Sequence, residues 1–357
     1  MPTDRSEPSA HPTLMHDTLR VSLDSPVALP VSWGWNLRFL TACDHAFLPG
    51  AYALINSAFD NDFAGSFQVF GTDDFTVASG VPAPRVTYSP LPRVDPQYHH
   101  FVNRLEALVA LPPGNYCYLD SDVLIERPSE VIFSAIEDGL LVSTERGDRY
   151  EPKDVWLREA CRRTNIPVGL PDFPYVNSGI LGFQLPRDVD LLRRLCTLSR
   201  KLFRGHLSTT IDPFFPHLDQ DILNLLVRDR IRDGGAVFVV SPRRVEIGRT
   251  DEHHRTRRFP HTRQKDLLPR DQRTYLIHGA SLRRPWLDAG RPGWKYRLES
   301  SGLLPLRRKF LRTVTPYERA WAYFACAGGQ TIPIDLWAAQ HRFHAHRHPL
   351  WRAVFDL

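Results

Sequence analysis

Tyr116-Cys117-Tyr118-Leu119-Asp120-Ser121-Asp122-Val123-Leu124-Ile125 is an apolar run broken by two carboxylates one residue apart. A run of this length reads as a buried strand, and acids at its end need compensation, because a buried unpaired charge is costly. A metal ion would supply it. Side chains two apart on an extended segment share a face, so Asp120 and Asp122 can hold one divalent cation while Ser121 points elsewhere. The plainer alternative is a solvated Asx turn at a strand end, and the triplet alone does not decide between them.

Outward from this run, strand and helix alternate. Leu37 to Ala42 is a strand candidate running into Cys43-Asp44. The helix after it opens at Pro49, which suits a first turn, and shows an apolar face of Tyr52, Leu54, Ile55 and Phe59. Phe67 to Phe70 is a second strand, and a Pro-rich linkage leads from it to a helix near His99 to Leu111. Beyond the acidic run come a helix around Ser129 to Glu137, a strand Leu140 to Ser143 and a helix Pro152 to Arg163. Next is a strand, Tyr175 to Phe183, with a polar Asn177-Ser178-Gly179 step that reads most simply as a turn, then the amphipathic helix Val189 to Phe203. His217 to Asn224 looks like a helix start where Asp219 caps free amides, and Tyr275 to His278 is a short strand ending in a potential ligand. Such alternation predicts an α/β fold, a parallel sheet with helices on both faces. Ligands gather at the carboxyl ends of strands in such sheets, where Asp44, Asp120 and Asp122 all fall.

The flanking regions differ in character. Residues 1–35, rich in Pro, Ser, Asp and His, read as a mobile leader before a catalytic domain over 36–290. Residues 249–270, dense in Arg, His and Asp, read as a solvated loop or a lid over a phosphate-bearing ligand. Residues 291–357 read as a basic, aromatic, helical extension. Its Trp321-Ala322-Tyr323-Phe324 stretch suits peripheral contact with a bilayer as well as packing on the core. Its His341, His344, His346 and His348 lack regular spacing and read as a solvated terminus.

Composition sets the outer bounds. The 357 residues are 42% hydrophobic and 11% aromatic, which excludes a disordered chain. A net charge of +5 admits anionic partners such as nucleotide phosphates or lipid headgroups without calling for nucleic acid. Cys43, Cys117, Cys161, Cys196 and Cys326 are scattered and odd in number, as expected of buried thiols in a reducing cytoplasm. No stretch has the length of a membrane span and the N-terminus lacks a signal-peptide pattern, so the expected setting is cytoplasmic.

Several blocks, in order, resemble the retaining glycosyltransferases of family 8, the group of glycogenin and the lipopolysaccharide galactosyl- and glucosyltransferases, over Leu37 to Trp286. Thr41-Ala42-Cys43-Asp44 is similar to the family's first strand, whose acid contacts the nucleotide base, and Asn103-Arg104-Leu105 to the helix whose arginine reaches the donor. Tyr118-Leu119-Asp120-Ser121-Asp122 resembles its metal motif and Val176-Asn177-Ser178-Gly179 its donor- and acceptor-side turn. Asp219-Gln220-Asp221-Ile222-Leu223-Asn224 resembles its catalytic helix start, and His278 with Arg284-Pro285-Trp286 its closing motif, with arginine for the usual lysine.

The resemblance implies a GT-A fold, a mostly parallel nucleotide-sugar transferase sheet. It further implies a nucleotide-sugar donor, with UDP-sugars first, and a hydroxyl acceptor that is a glycan or a lipid-linked saccharide. Ala42, Asp44, Arg104, Asn177 and Arg284 would bind substrate. Asp120, Asp122 and His278 would hold Mn²⁺, with Mg²⁺ the second candidate. Asp219 and Gln220 would stabilise the oxocarbenium-like sugar. An amide is a poor nucleophile, which favours same-face attack over a covalent intermediate. Two other readings compete: a nucleotide-sugar binder without turnover, and a nucleotidyltransferase. The latter would need a glycine-rich basic loop after the first strand, which Cys43-Asp44-His45-Ala46-Phe47 does not supply.

Overall fold

The structure, a computed structural model, describes residues 36–44, 47–71, 85–91, 100–125, 130–144, 154–203, 215, 217–240, 245–247 and 276–279. Expectations for 1–35, for 249–270, for Arg284 and for 291–357 lie outside them.

β1 (Leu37–Cys43), β2 (Ser66–Gly71), β3 (Val86–Pro90), β4 (Gly114–Leu119), β6 (Leu140–Thr144), β7 (Val176–Leu185) and β8 (Val237–Val240) form one sheet, in the order β3-β2-β1-β4-β7-β6-β8. Every pairing is parallel except the two made by β7, which runs against β4 and β6. The three short strands β5 (Val123–Ile125), β9 (Val245–Ile247) and β10 (Leu276–His278) make a second sheet, β5-β10-β9. The α/β, mostly parallel architecture expected from the alternating pattern is therefore the one observed.

Helices cover both faces because the period of two in the strands sorts side chains to two cores. Leu37 and Phe39 of β1, with Cys117 and Leu119 of β4, join α1 (Leu48–Phe59), α3 (Glu130–Asp138) and the small sheet in one cluster. Within it Phe39 meets Phe63, Phe67 and Phe133 at centroid separations of 4.4, 5.2 and 5.0 Å. Leu40 of β1 and Tyr116 and Tyr118 of β4 point the other way. There they meet α2 (His100–Val109), α4 (Asp154–Thr164), α5 (Val189–Phe203) and α6 (Leu218–Arg232). The small sheet is stitched to the end of α1: Ile125 N–H donates to Ser57 Oγ (2.9 Å) and Asn61 Nδ2 donates to Ile125 C=O (2.9 Å). Cys43, Cys117, Cys161 and Cys196 are buried and form no disulfide. Among the described residues no helix is long and apolar enough to cross a membrane.

Three local readings change. The run from Tyr116 to Ile125 is two strands in two sheets: Val123 N–H donates to Asp120 C=O (2.9 Å), closing a turn over Ser121 and Asp122. The Pro-rich linkage contains an edge strand, β3, where a proline at Pro90 withholds no N–H that a further strand would need. The Asn177-Ser178-Gly179 step is part of β7, and the pairing with β6 shifts register there, between Val142 and Ser143.

That irregular stretch is held by α6. Val176 N–H donates to Asn224 Oδ1 (2.7 Å), and Asn224 Nδ2 donates to the C=O of Val176 (2.8 Å) and of Gln220 (2.8 Å). Asn224 is buried, so its loss strands both polar groups of Val176 without water. Asn224→Leu, near in volume, is expected to lower unfolding free energy by about 2–6 kcal/mol, at roughly 1–3 kcal/mol for each stranded group. Urea denaturation of the two proteins measures it, and an unchanged midpoint would refute the clamp.

Candidate active site

The corner where β4, β5, β7 and β10 meet brings together the two acids of the turn. Asp120 N–H donates to Gly179 C=O (2.8 Å), anchoring the turn to β7. β5 pairs antiparallel with β10, which sets His278 opposite Val123, and Gly279 N–H donates to Asp122 C=O (2.8 Å). His278 Nε2 then lies 3.2 Å from Asp122 Oδ1 and 3.6 Å from Asp120 Oδ2. One donor atom from each of Asp120, Asp122 and His278 falls within 4.8 Å of the others. The sequence pairing of Asp120 with Asp122 is thus realised by a turn rather than by one face of a strand.

Burial and charge oppose each other here. Asp122 and His278 are each 3% exposed. Burial works against a charged imidazole, but the Asp122 charge, hydrogen bonds to both acids and the Asp120 charge outweigh it and push His278 up to about 10. Burial likewise works to raise Asp120, yet the His278 hydrogen bond, the Arg104 charge and Tyr118 hold it well below the usual carboxylate range. With no metal, a proton on His278 is what compensates the acids. Two carboxylates, one half-buried and one buried, and a buried imidazole converging at one corner are a donor set that fits a first-row divalent cation. Among the described residues His278 Nδ1 is buried without a hydrogen-bond partner, and the ring's polar engagement there is on the acid side. Gly179 lets these side chains pack against the backbone: a Cβ there would lie 2.7 Å from Asp120 Oδ2 and 2.4 Å from His278 Cε1.

Arg104, from α2, links this trio to the start of α6. Its Nη1 donates to Tyr118 Oη (2.7 Å) and Asp120 Oδ1 (3.1 Å), and its Nη2 donates to Asp219 Oδ2 (2.6 Å). Desolvation works against the buried guanidinium, but Tyr118, Asp219 and Asp120 more than offset it and keep it charged. Asp219 is therefore an ion-pair partner, not the helix cap expected of it. The reach back to the N-cap is made instead by Asp221, whose Oδ2 accepts from His217 N–H (2.9 Å) while Oδ1 accepts from Tyr175 Oη.

Gln220, the next residue, is buried, and its Oε1 accepts from Ser178 N–H (3.2 Å). Asn177 Oδ1 accepts from Gly179 N–H (2.8 Å), which turns its side chain along β7 toward the same glycine. Asp120, Asp122, His278, Arg104, Asp219, Gln220 and Asn177 thus converge. Ala42 and Asp44 stand at the carboxyl end of β1, the strand beside β4, where Asp44 Oδ1 accepts from Phe47 N–H (3.0 Å) at the entry to α1. Three contributors stand within the quoted blocks but were given no role by the sequence: the Tyr118 hydroxyl, the missing side chain of Gly179, and Asn224. Spacing signals only the first, since Tyr118 and Asp120 are two apart.

No protein-family model and no curated protein matches the chain by sequence. Among solved structures, an active-site mutant of LgtC is 18% identical, with 80% of this chain and 99% of LgtC covered at a TM-score of 0.44. The glycosyltransferase GlyE of Streptococcus pneumoniae TIGR4 is 16% identical over 70% of this chain and 56% of its own, at 0.44. Mouse xyloside xylosyltransferase 1 is 14% identical over 68% and 97%, at 0.42. Scores this low lend the site no chemistry, which stands on its own residues.

A cation held here stabilises the folded protein by mass action: at a hundred times its Kd it adds about 2.7 kcal/mol, or about 5–10 °C in Tm. Mn²⁺ is expected to raise the Tm of the native chain by that order and to leave Gly179→Ala unmoved, as differential scanning calorimetry would read. An equal rise in the variant would show that the close packing of Asp120 and His278 on Gly179 is not needed to hold the cation.

Proposed function

We propose that this chain is a metal-dependent retaining glycosyltransferase. It would move a hexose from a nucleotide-sugar, UDP-sugars first, to a hydroxyl acceptor on a glycan or lipid-linked saccharide. The observation that carries the reading is the joining of two sets of groups. The trio of half-buried Asp120 and buried Asp122 and His278 at the carboxyl end of the central sheet is linked by Arg104 to Asp219 and its neighbour Gln220. A cation site and a group suited to an electron-poor sugar carbon are thus held in one network.

When bound, the cation, Mn²⁺ or else Mg²⁺, would be held by Asp120, Asp122 and His278 and would act as a Lewis acid toward the diphosphate leaving group. Arg104 adds a permanent positive charge beside Asp120, in the network that would meet the negative charge growing as the glycosidic bond breaks. Gln220 presents a neutral amide, which can stabilise an oxocarbenium-like carbon but attacks it poorly. Retention then follows most simply if the acceptor enters on the face from which the diphosphate leaves. Asp44 and Ala42, at the end of β1, would meet the base, Asn177 the sugar or acceptor, and Arg284 the diphosphate. A lipid-linked acceptor would bring the basic aromatic residues 291–357 to the cytoplasmic face of a bilayer.

Release of nucleoside diphosphate from a panel of UDP-, GDP-, ADP- and TDP-sugars tests this without knowledge of the acceptor. Release from one donor is expected with Mn²⁺, is abolished by chelator, and falls about a hundredfold or more in Asp122→Asn, which loses a ligand. Donor binding without any release, with or without added acceptors, would replace the transferase by a binding protein. Diphosphate formation from sugar phosphate and nucleoside triphosphate would replace it by a nucleotidyltransferase.

A further inference from the structure

The two oxygens of Asp120 are in different circumstances. Oδ1 faces inward and accepts from both Tyr118 Oη (2.9 Å) and Arg104 Nη1 (3.1 Å). Oδ2 points to the other members of the trio, 3.6 Å from His278 Nε2 and against the backbone of Gly179, where a Cβ would lie 2.7 Å away. The direction of each bond is forced. Arginine can only donate, so Tyr118 Oη accepts from Arg104 Nη1, and its own single proton is left for Asp120. The guanidinium also lies over the Tyr118 ring, 4.6 Å from its centroid. Tyr118 is 2% exposed and Arg104 5%, so water does not compete for these bonds.

We infer that Tyr118 and Arg104 are positioning residues that make Asp120 a one-oxygen ligand, engaging Oδ1 so that only Oδ2 is presented to a divalent cation. The inference rests on the cation reading of Asp120, Asp122 and His278. A carboxylate free to rotate would offer either oxygen or both and would pay rotamer entropy on binding. One held by a hydroxyl and a guanidinium has paid it already. Partners of this kind, one bond removed from a metal, are worth about ten- to a hundredfold in metal affinity. Arg104 holds Asp219 through its other nitrogen, so the same brace sets the start of α6 against the cation ligand.

A built-in control exists one position pair away. Tyr116 lies on the same face of β4, is equally buried and stacks on Phe183, but its hydroxyl donates only to Pro112 C=O (2.8 Å). Losing that hydroxyl costs stability without touching the acids. The experiment titrates full-length protein with Mn²⁺ alone, following free Mn²⁺ by electron paramagnetic resonance, with a thermal melt of each variant alongside. Tyr118→Phe is expected to weaken Mn²⁺ binding about ten- to a hundredfold and Tyr116→Phe to leave it unchanged, while both lower Tm. Arg104→Lys, which keeps the charge but not the fork, is expected to weaken Mn²⁺ as Tyr118→Phe does, and it carries the test if Tyr118→Phe does not fold. Equal affinity in Tyr118→Phe and the native chain, or an equal loss in Tyr116→Phe, would overturn the brace while leaving the cation site standing. No Mn²⁺ binding by the native chain would overturn the cation reading itself and the brace with it.

Discussion

Buried charge is the constraint on which this molecule is built. Asp120, Asp122 and Asp219 share one poorly hydrated corner with Arg104 and His278. Each carboxylate taken from water costs several kcal/mol unless opposite charge and hydrogen bonds stand ready, and removing one partner leaves the rest exposed to that cost. With His278 protonated, the formal charges of the corner leave one negative charge over. With the imidazole neutral and a divalent ion in its place, they cancel. The protonated imidazole and the cation are thus alternative answers to one electrostatic demand, and the cation is the one that balances.

The scaffold can be read as the means of holding that corner open. A parallel sheet ends its strands at one edge, which delivers Asp44 and Asp120 on neighbouring strands. The reversed strand β7 then passes between β4 and β6, and its irregular stretch supplies what a regular strand could not: a glycine with no side chain at the cleft and a backbone N–H, that of Ser178, turned to Gln220. Such a stretch loses ladder bonds to β6, and Asn224 restores two of them from α6. The same helix therefore repairs the strand and, one turn earlier, presents Asp219 and Gln220. Packing and chemistry are coupled through a single asparagine.

How much of this was legible depended on range. Periodicity found α1, α2, α5 and the core strands, because amphipathic and alternating patterns are local, and it found the acids, because two carboxylates in an apolar run are conspicuous. It could not see that the run breaks after Leu119, since the break is imposed from afar: Gly179 C=O takes the Asp120 N–H, and β10 pairs with β5. Asp219 was read as a helix cap because its partner Arg104 is 115 positions away, and no spacing rule reaches that far. β3 was hidden by prolines that demote a strand, correctly in kind, for it is an edge. The reversal of β7 left no mark in a scheme of alternating strands and helices.

The identity of residue 220 follows from the same electrostatics. Its side chain is buried, next in sequence to Asp219, and its Oε1 is occupied by a backbone N–H from β7. A carboxylate there could accept the same bond, but it would add a further negative charge to a corner that a divalent ion would only just balance. Its compensation would have to come from drawing in a proton or from tightening the cation. An amide keeps the acceptor oxygen and adds no charge. The side chain in the first turn of α6 is thereby one that can accept a hydrogen bond and polarise toward an electron-poor centre without adding to the negative charge of Asp120, Asp122 and Asp219.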